Sequence, residues 1–255
     1  MVDSHVHFDY LLQDHELLPE IISGIEKCIQ ISNTAENLLW SRDFAIRNNK
    51  SGIYYTAGIH PLAETNDHSS IETLRTFVEQ EVNSLNKKLL VGIGECGLDF
   101  SRNIDKENQI FLFEQHIEIA RQYKLPLIVH CRNAFDQIYE CIKNKNTSGV
   151  LHCFSGDIET AKRFLDEDYL ISFAGNLTFK HSHLLHETAA FIPLNRMLLE
   201  TDSPALSPMP VRGKINQPSN IIHIYEFLAK IKKLPFSKIE DIIFQNFNRF
   251  FGPLQ

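Results

Sequence analysis

Two histidines one residue apart, His5 and His7, open the chain in the run Met1-Val-Asp-Ser-His-Val-His-Phe-Asp-Tyr10. On a strand, residues i and i+2 point the same way, so both imidazoles can reach one metal ion while Val6 packs behind them. Four more side chains of metal-ligand type follow, each near the end of its own apolar run: Glu95, His130, His152 and Asp202. Four imidazoles and two carboxylates form a mixed nitrogen and oxygen set. It suits zinc, manganese or cobalt better than calcium and exceeds the need of one tetrahedral ion. Two divalent ions sharing a carboxylate is the simplest arrangement, with magnesium also left open as their identity. Such a pair can activate water and stabilise charge on a phosphoryl or carbonyl oxygen, so the expected chemistry is metal-dependent hydrolysis.

Taken singly, each residue has a plainer explanation. A lone histidine at a strand end is more often a structural hydrogen-bonding group. Asp3, Asp99 and Glu200 read as caps or turn formers, and Gly92, Gly94 and Gly97 as relief of crowding. The joint pattern argues otherwise, because buried carboxylates and imidazoles without partners are costly and a metal centre satisfies them together. The five cysteines contain no C-x-x-C pair, and their odd number argues against a disulfide framework. Cys96, Cys131 and Cys153 each follow a candidate ligand and are expected to face the packing behind it.

Elements capable of positioning these groups alternate along the chain. Short apolar runs without clean alternation, the pattern of buried parallel strands, lie at 2–7, 27–32, 53–60, 89–95, 127–131, 150–154, 169–174 and 197–202. Helical periodicity predicts helices at 71–85, 106–123, 134–144, 158–166, 184–191, 221–231 and 237–251. Capping-box spacing marks the starts at Ser69 and Ser237. The pattern predicts an α/β protein, a single (β/α)₈ barrel spanning 1–255 with a C-terminal helix. In such a barrel the C-terminal strand ends converge on one mouth, which would gather all six ligands. An open doubly wound sheet is the competing fold, but no G-x-G-x-x-G follows the first strand.

Of the 255 residues, 43% are hydrophobic, enough for a sizeable core, and no run is long enough to span a membrane. The N-terminus lacks the regions of a signal peptide, so a cytoplasmic protein is expected. A net charge of −7 excludes a general positive surface for gripping nucleic acid, but cations in a pocket can still bind a phosphate locally.

Eight ordered motifs then make the chain recognisable. They are Asp3-Ser-His-Val-His-Phe8, Gly58-Ile-His-Pro61, Gly94-Glu-Cys-Gly-Leu-Asp99, Val129-His-Cys-Arg132, His152-Cys-Phe-Ser-Gly156, Glu200-Thr-Asp-Ser-Pro204, Arg212-Gly-Lys-Ile-Asn-Gln-Pro218 and Gln245-Asn-Phe-Asn-Arg-Phe-Phe-Gly252. The sequence resembles the TatD family of metal-dependent deoxyribonucleases, within the amidohydrolase-like barrels, over nearly its whole length. The resemblance implies that His5, His7 and Asp202 hold one ion and His130 and His152 the other, with Glu95 bridging. It implies phosphodiester hydrolysis, commonly 3′-to-5′ exonuclease action on single-stranded DNA, with Asp202 orienting the attacking water and taking its proton. His60, Arg132, Arg212 and Lys214 are the candidates for contacting phosphate, with Lys180 a further one. A monomer is expected.

Two positions depart from the family pattern. Asn133 stands where an acidic residue is common, and Ala205 where an aromatic residue could stack on a base. Two other functions compete with the nuclease. The same ions could cleave an ester or amide, as in a mis-acylated (D-aminoacyl) tRNA. The metals could instead stabilise a non-catalytic scaffold.

Overall fold

Strands buried on both faces need helices outside and other strands' side chains inside, and a closed parallel barrel supplies both. The computed structural model describes residues 1–12, 17–64, 67–102 and 105–252. In chain order the elements are β1 (Val2–Val6), α1 (Phe8–Leu11), β2 (Lys27–Gln30), α2 (Leu38–Arg47), β3 (Ile53–Ala57), α3 (His68–Val82), β4 (Leu90–Asp99), α4 (Lys106–Tyr123), β5 (Leu127–Arg132), α5 (Phe135–Ile142), β6 (Gly149–Leu151), α6 (Ile158–Asp166), β7 (Tyr169–Phe173), α7 (His183–Phe191), β8 (Met197–Leu199), α8 (Ile221–Lys232) and α9 (Phe236–Phe251). The strands form one eight-stranded sheet in sequential order, and every paired neighbour is parallel.

The seam between β8 and β1 is closed beyond the end of β8. Val6 bridges Ser203, and the His7 N–H donates to the Ser203 carbonyl at 2.9 Å. Ser4 Oγ donates to Leu199 O at 3.1 Å. Helices α8 and α9 brace the same seam. Buried Tyr225 accepts from Val2 N at 3.2 Å and donates to Val2 O at 3.0 Å. Asn246 donates to Leu194 O and Met197 O, both at 2.8 Å. The (β/α)₈ expectation is met.

Local boundaries differ for physical reasons. Helix α2 lacks a sequence signal, because its buried Leu38, Phe44 and Ala45 share the helix with exposed Leu39 and half-buried Trp40, which blurs the periodicity. Helix α3 is capped by Asp67, which accepts from Ser70 N at 2.9 Å, so the Ser69 capping box does not form. It stops at Val82, leaving Leu85 fully exposed. At α9, Pro235 precedes the first turn and no side chain caps it. Several strands end before the residues expected to finish them, so His7, His60, His152 and Asp202 lie on the following loops.

The reverse holds for β4, which runs on to Asp99 and leaves Glu95 in mid-strand. Its register with β5 shifts between Ile93 and Cys96. Gly94 and Gly97 take φ of +148° and +132° at this irregularity. A Cβ on Gly94 would come within 2.5 Å of Ile128 O. The glycines therefore permit a bulge that aims Glu95 into the barrel.

Helix α4 holds the loop that carries His60. His116, fully buried, accepts from Ile59 N at 3.1 Å through Nε2 and donates from Nδ1 to Leu112 O at 2.7 Å. Burial pushes its pKa down from 6.5 to about 4. The folded state thus favours the neutral ring. Its contribution is fully present above the unfolded pKa and is lost as pH falls from 6.5 through 4, roughly 3 kcal/mol in all. Urea midpoints of the wild type and His116→Gln, measured at pH 7, 5 and 4, should show a steeper acid decline in the wild type. Parallel declines would refute this role.

Candidate metal centre

The pleat of β1 turns His5 inward and Val6 outward, and His7 follows one residue beyond the strand. The two Nε2 atoms lie 3.1 Å apart. Glu95 enters from β4 and divides its carboxylate between two clusters. Its Oε2 lies 3.4 Å from His5 Nε2 and 3.7 Å from His7 Nε2. Its Oε1 lies 2.8 Å from both His130 Nδ1 and His152 Nε2. Asp202, on the loop after β8, brings Oδ1 to 3.4 Å from His7 Nε2 and 3.7 Å from His5 Nε2. All six expected ligand candidates therefore meet at one end of the barrel. Two of the trios able to hold an ion, His5–Glu95–His152 and His5–His7–Asp202, consist wholly of them.

A third trio, His60–Glu95–His130, adds a fifth imidazole. His60 Nε2 is 3.5 Å from Glu95 Oε1 and 3.3 Å from His130 Nδ1. Its other nitrogen, Nδ1, accepts from Leu62 N at 3.0 Å. Burial pushes the His60 pKa down to about 4, so the neutral ring carries its proton on Nε2. His60 therefore points an N–H at the centre, where a ligand would point a lone pair.

The opposite polarity holds at the other rings. Buried Asp99 sits 3.1 Å from His130 Nε2. Although its burial works the other way, bonds from His130 and Ser101 hold its carboxyl well below the usual range. Asp99 is thus an acceptor, His130 Nε2 donates to it, and the Nδ1 lone pair faces Glu95. Glu200 Oε1 accepts from Cys153 N and lies 3.3 Å from His152 Nδ1, where its charge favours a proton although the pair does not meet hydrogen-bond geometry. The Asn33 amide, oriented with its nitrogen 3.2 Å from Glu95 Oε2, presents its oxygen to His7 Nδ1 at 3.3 Å. It leaves the His7 Nε2 lone pair directed at the centre.

This arrangement fits a divalent cation. Lone pairs of His130 and His152 point at a carboxylate oxygen 2.8 Å away, and like partners at that distance need a cation or proton between them. Burial would raise the Glu95 pKa, but positive charge on the imidazoles around it, His152 foremost, holds it well below the carboxylate range. Burial works against charge on those rings too, yet the carboxylates around them raise the pKa of His130 and His152, so a proton occupies each short contact to Glu95 when no cation does. At Asp202 the same opposition, with His7 the main partner, also lowers the pKa. Both carboxylates are therefore ionised.

Asp99, Glu200 and Asn33 border the centre; sequence spacing suggests caps or turn formers for the two carboxylates and carries no signal for Asn33. Asp3 likewise has a specific place: it accepts from His5 N at 3.2 Å and Thr201 N at 3.0 Å, tying β1 to the loop that carries Asp202. Removing the partner of a ligating histidine weakens metal binding about 10–100-fold. Asp99→Asn and Glu200→Gln should each show a loss of that size when Zn²⁺ is titrated against a chelating indicator. Wild-type affinity in both would refute the orienting role.

A cavity of about 280 Å³ opens over these donors. Its floor includes His7, Glu95, His130, His152 and Asp202, and its wall is made by Tyr10, Asn33, Thr34, His60, Leu62 and Ala63. Of the expected phosphate contacts, only His60 lines it. Arg132, Arg212, Lys214 and Lys180 are exposed outside this lining, with the Arg212 guanidinium 3.9 Å above the Phe179 ring. Cys131 and Cys153 are only half-buried; Cys153 lies past the end of β6 at φ +45°, where strand alternation no longer applies. Asn133 takes φ +55°, a conformation asparagine tolerates. Among the described residues, no helix is long and apolar enough to cross a membrane.

Comparison with known proteins agrees with this geometry. Residues 2–252 match the family described as TatD related DNase. The chain is 34% identical to the uncharacterized metal-dependent hydrolase YcfH of Escherichia coli K12, over 98% of this chain and 95% of that protein. It is 36% identical to the metal-dependent hydrolase BU355 of Buchnera aphidicola subsp. Acyrthosiphon pisum, over 99% of each. Among solved structures, the TatD homologue YjjV of Escherichia coli K12 superposes with a TM-score of 0.89 at 28% identity, covering 98% of this chain and 97% of that one.

Proposed function

This chain belongs to the TatD family and is a metal-dependent hydrolase; on that premise we propose that it is a deoxyribonuclease, removing nucleotides from the 3′ end of single-stranded DNA. The observation that carries this reading is the split of Glu95 between two donor clusters, with one N–H, that of His60, aimed at the same place. A cavity at the lower bound of small-ligand sites suits a chain end better than a duplex. In this reading His5, His7, Glu95 and Asp202 would hold one divalent ion, and Glu95, His130 and His152 a second.

When bound, the ions would lower the pKa of a water and neutralise charge developing on the phosphoryl oxygens. The chain's own residues do the rest. Ionised Asp202 accepts the proton of the attacking water and turns it toward phosphorus. His60 donates from Nε2 to a non-bridging oxygen, a bond that strengthens as charge grows there. Asp99 and Asn33 bond the outer nitrogens of His130 and His7, and the charge of Glu200 favours a proton on the outer nitrogen of His152, so each ring turns its other nitrogen toward the centre.

The test is a parallel assay of 5′-labelled single-stranded DNA, duplex DNA and aminoacyl-tRNA, with Mg²⁺, Mn²⁺ and Zn²⁺ supplied separately. Stepwise shortening of single strands from the 3′ end is expected. Rapid deacylation of tRNA with DNA left intact would replace the nuclease with the ester-cleaving alternative.

A further inference from the structure

Four of the six wall residues have no part in the hydrolytic chemistry. Tyr10, on α1, is 61% exposed, yet it lines the cavity beside His7, with ring centroids 5.5 Å apart. Its hydroxyl lies 3.5 Å from the Asn33 amide. The ring thus lies beside the residue that orients His7 and faces Glu95. Half-buried Leu62 and Ala63, from the loop after β3, and Thr34, from the loop after β2, complete this wall. No carboxylate, lysine or arginine stands among these four residues. Among the described residues, the carboxylates and imidazoles of the cavity all belong to the metal floor or to His60.

From this division we infer that Tyr10, Leu62, Ala63 and Thr34 form a subsite for the nucleobase of the nucleotide whose phosphate lies over the metal floor. The inference rests on the phosphodiester reading above. A second phosphate would find no cation among the described residues of this wall. A saturated chain would leave the π-face of an exposed tyrosine unused. A planar, uncharged ring next to the scissile phosphate matches both the tyrosine face and the small apolar side chains. Stacking of this kind tolerates every base, because every base has a π-face.

Two esters with the same leaving group separate the subsite from the chemistry: thymidine 5′-(p-nitrophenyl phosphate) and methyl p-nitrophenyl phosphate. The wild type should prefer the thymidine ester in kcat/KM. In Tyr10→Ala that preference should fall about tenfold, chiefly through KM, and Tyr10→Phe should restore it because the ring is retained. An unchanged preference in Tyr10→Ala overturns the inference, as does a Tyr10→Phe variant no better than Tyr10→Ala. If the wild type hydrolyses neither ester, the phosphodiester reading fails on its own account. Calorimetric binding of thymidine 5′-monophosphate to the metal-loaded protein then decides the subsite. Wild-type binding at least several-fold tighter than that of Tyr10→Ala supports it, and equal binding overturns it.

Discussion

Glu95→Gln should abolish hydrolysis, with kcat at least about 10³-fold below wild type, because several kcal/mol of stabilisation by the bound ions depends on this carboxylate. The Glu95 carboxylate faces both donor clusters, Oε2 toward His5 and His7 and Oε1 toward His130 and His152. An amide keeps the shape but loses the charge, and it can present an N–H to imidazole lone pairs on one side. Metal content measured by mass spectrometry should therefore fall along with activity, while circular dichroism stays that of the folded barrel. Fold and metal content measured together separate loss of the centre from loss of the protein. Turnover within tenfold of wild type would remove Glu95 from its bridging place.

Asp202→Asn should lower kcat by about 10³-fold with a much smaller change in metal content, since general-base work alone is worth roughly 10²–10⁴-fold. Asp202 touches only the His5 and His7 side of the centre, so the donors around Glu95 Oε1 remain complete. Its backbone is also fixed independently of its charge, through the Asp202 N–H to His5 O at 3.0 Å. The variant should fold and bind a nucleotide normally. Single-turnover rates at saturating substrate isolate the chemical step. A rate near wild type would assign the proton to another acceptor. The contrast between the two variants is the sharper test: loss of ions and rate in Glu95→Gln, loss of rate chiefly in Asp202→Asn.

The ligand types and the barrel were legible in the sequence because both rest on local rules. Strand alternation is enough to pair His5 with His7, and the rule that parallel-barrel strands end at one mouth is enough to gather Glu95, His130, His152 and Asp202. The order of the strands followed from the repeated strand–helix pattern. Helix α2 escaped because its apolar residues are not confined to one stripe, and the Asp67 cap because a neighbouring serine pair offered the same spacing.

What the tertiary structure decided is the direction of each polar atom. Sequence can name His60, His130 and His152, but not which nitrogen carries the proton. That is set by Leu62 N, Asp99 and Glu200, reached only after the barrel closes. The bulge at Gly94 and Gly97, which turns mid-strand Glu95 inward, depends on how β4 lies against β5. The placement of Tyr10 and Leu62 over the cavity, with Arg132, Arg212 and Lys214 left outside it, depends on how the loops after separate strands pack. Periodicity is a property of neighbours along the chain and survives in sequence. Tautomer, carboxylate orientation and cavity walls are properties of neighbours across the barrel, and only the closed sheet fixes those.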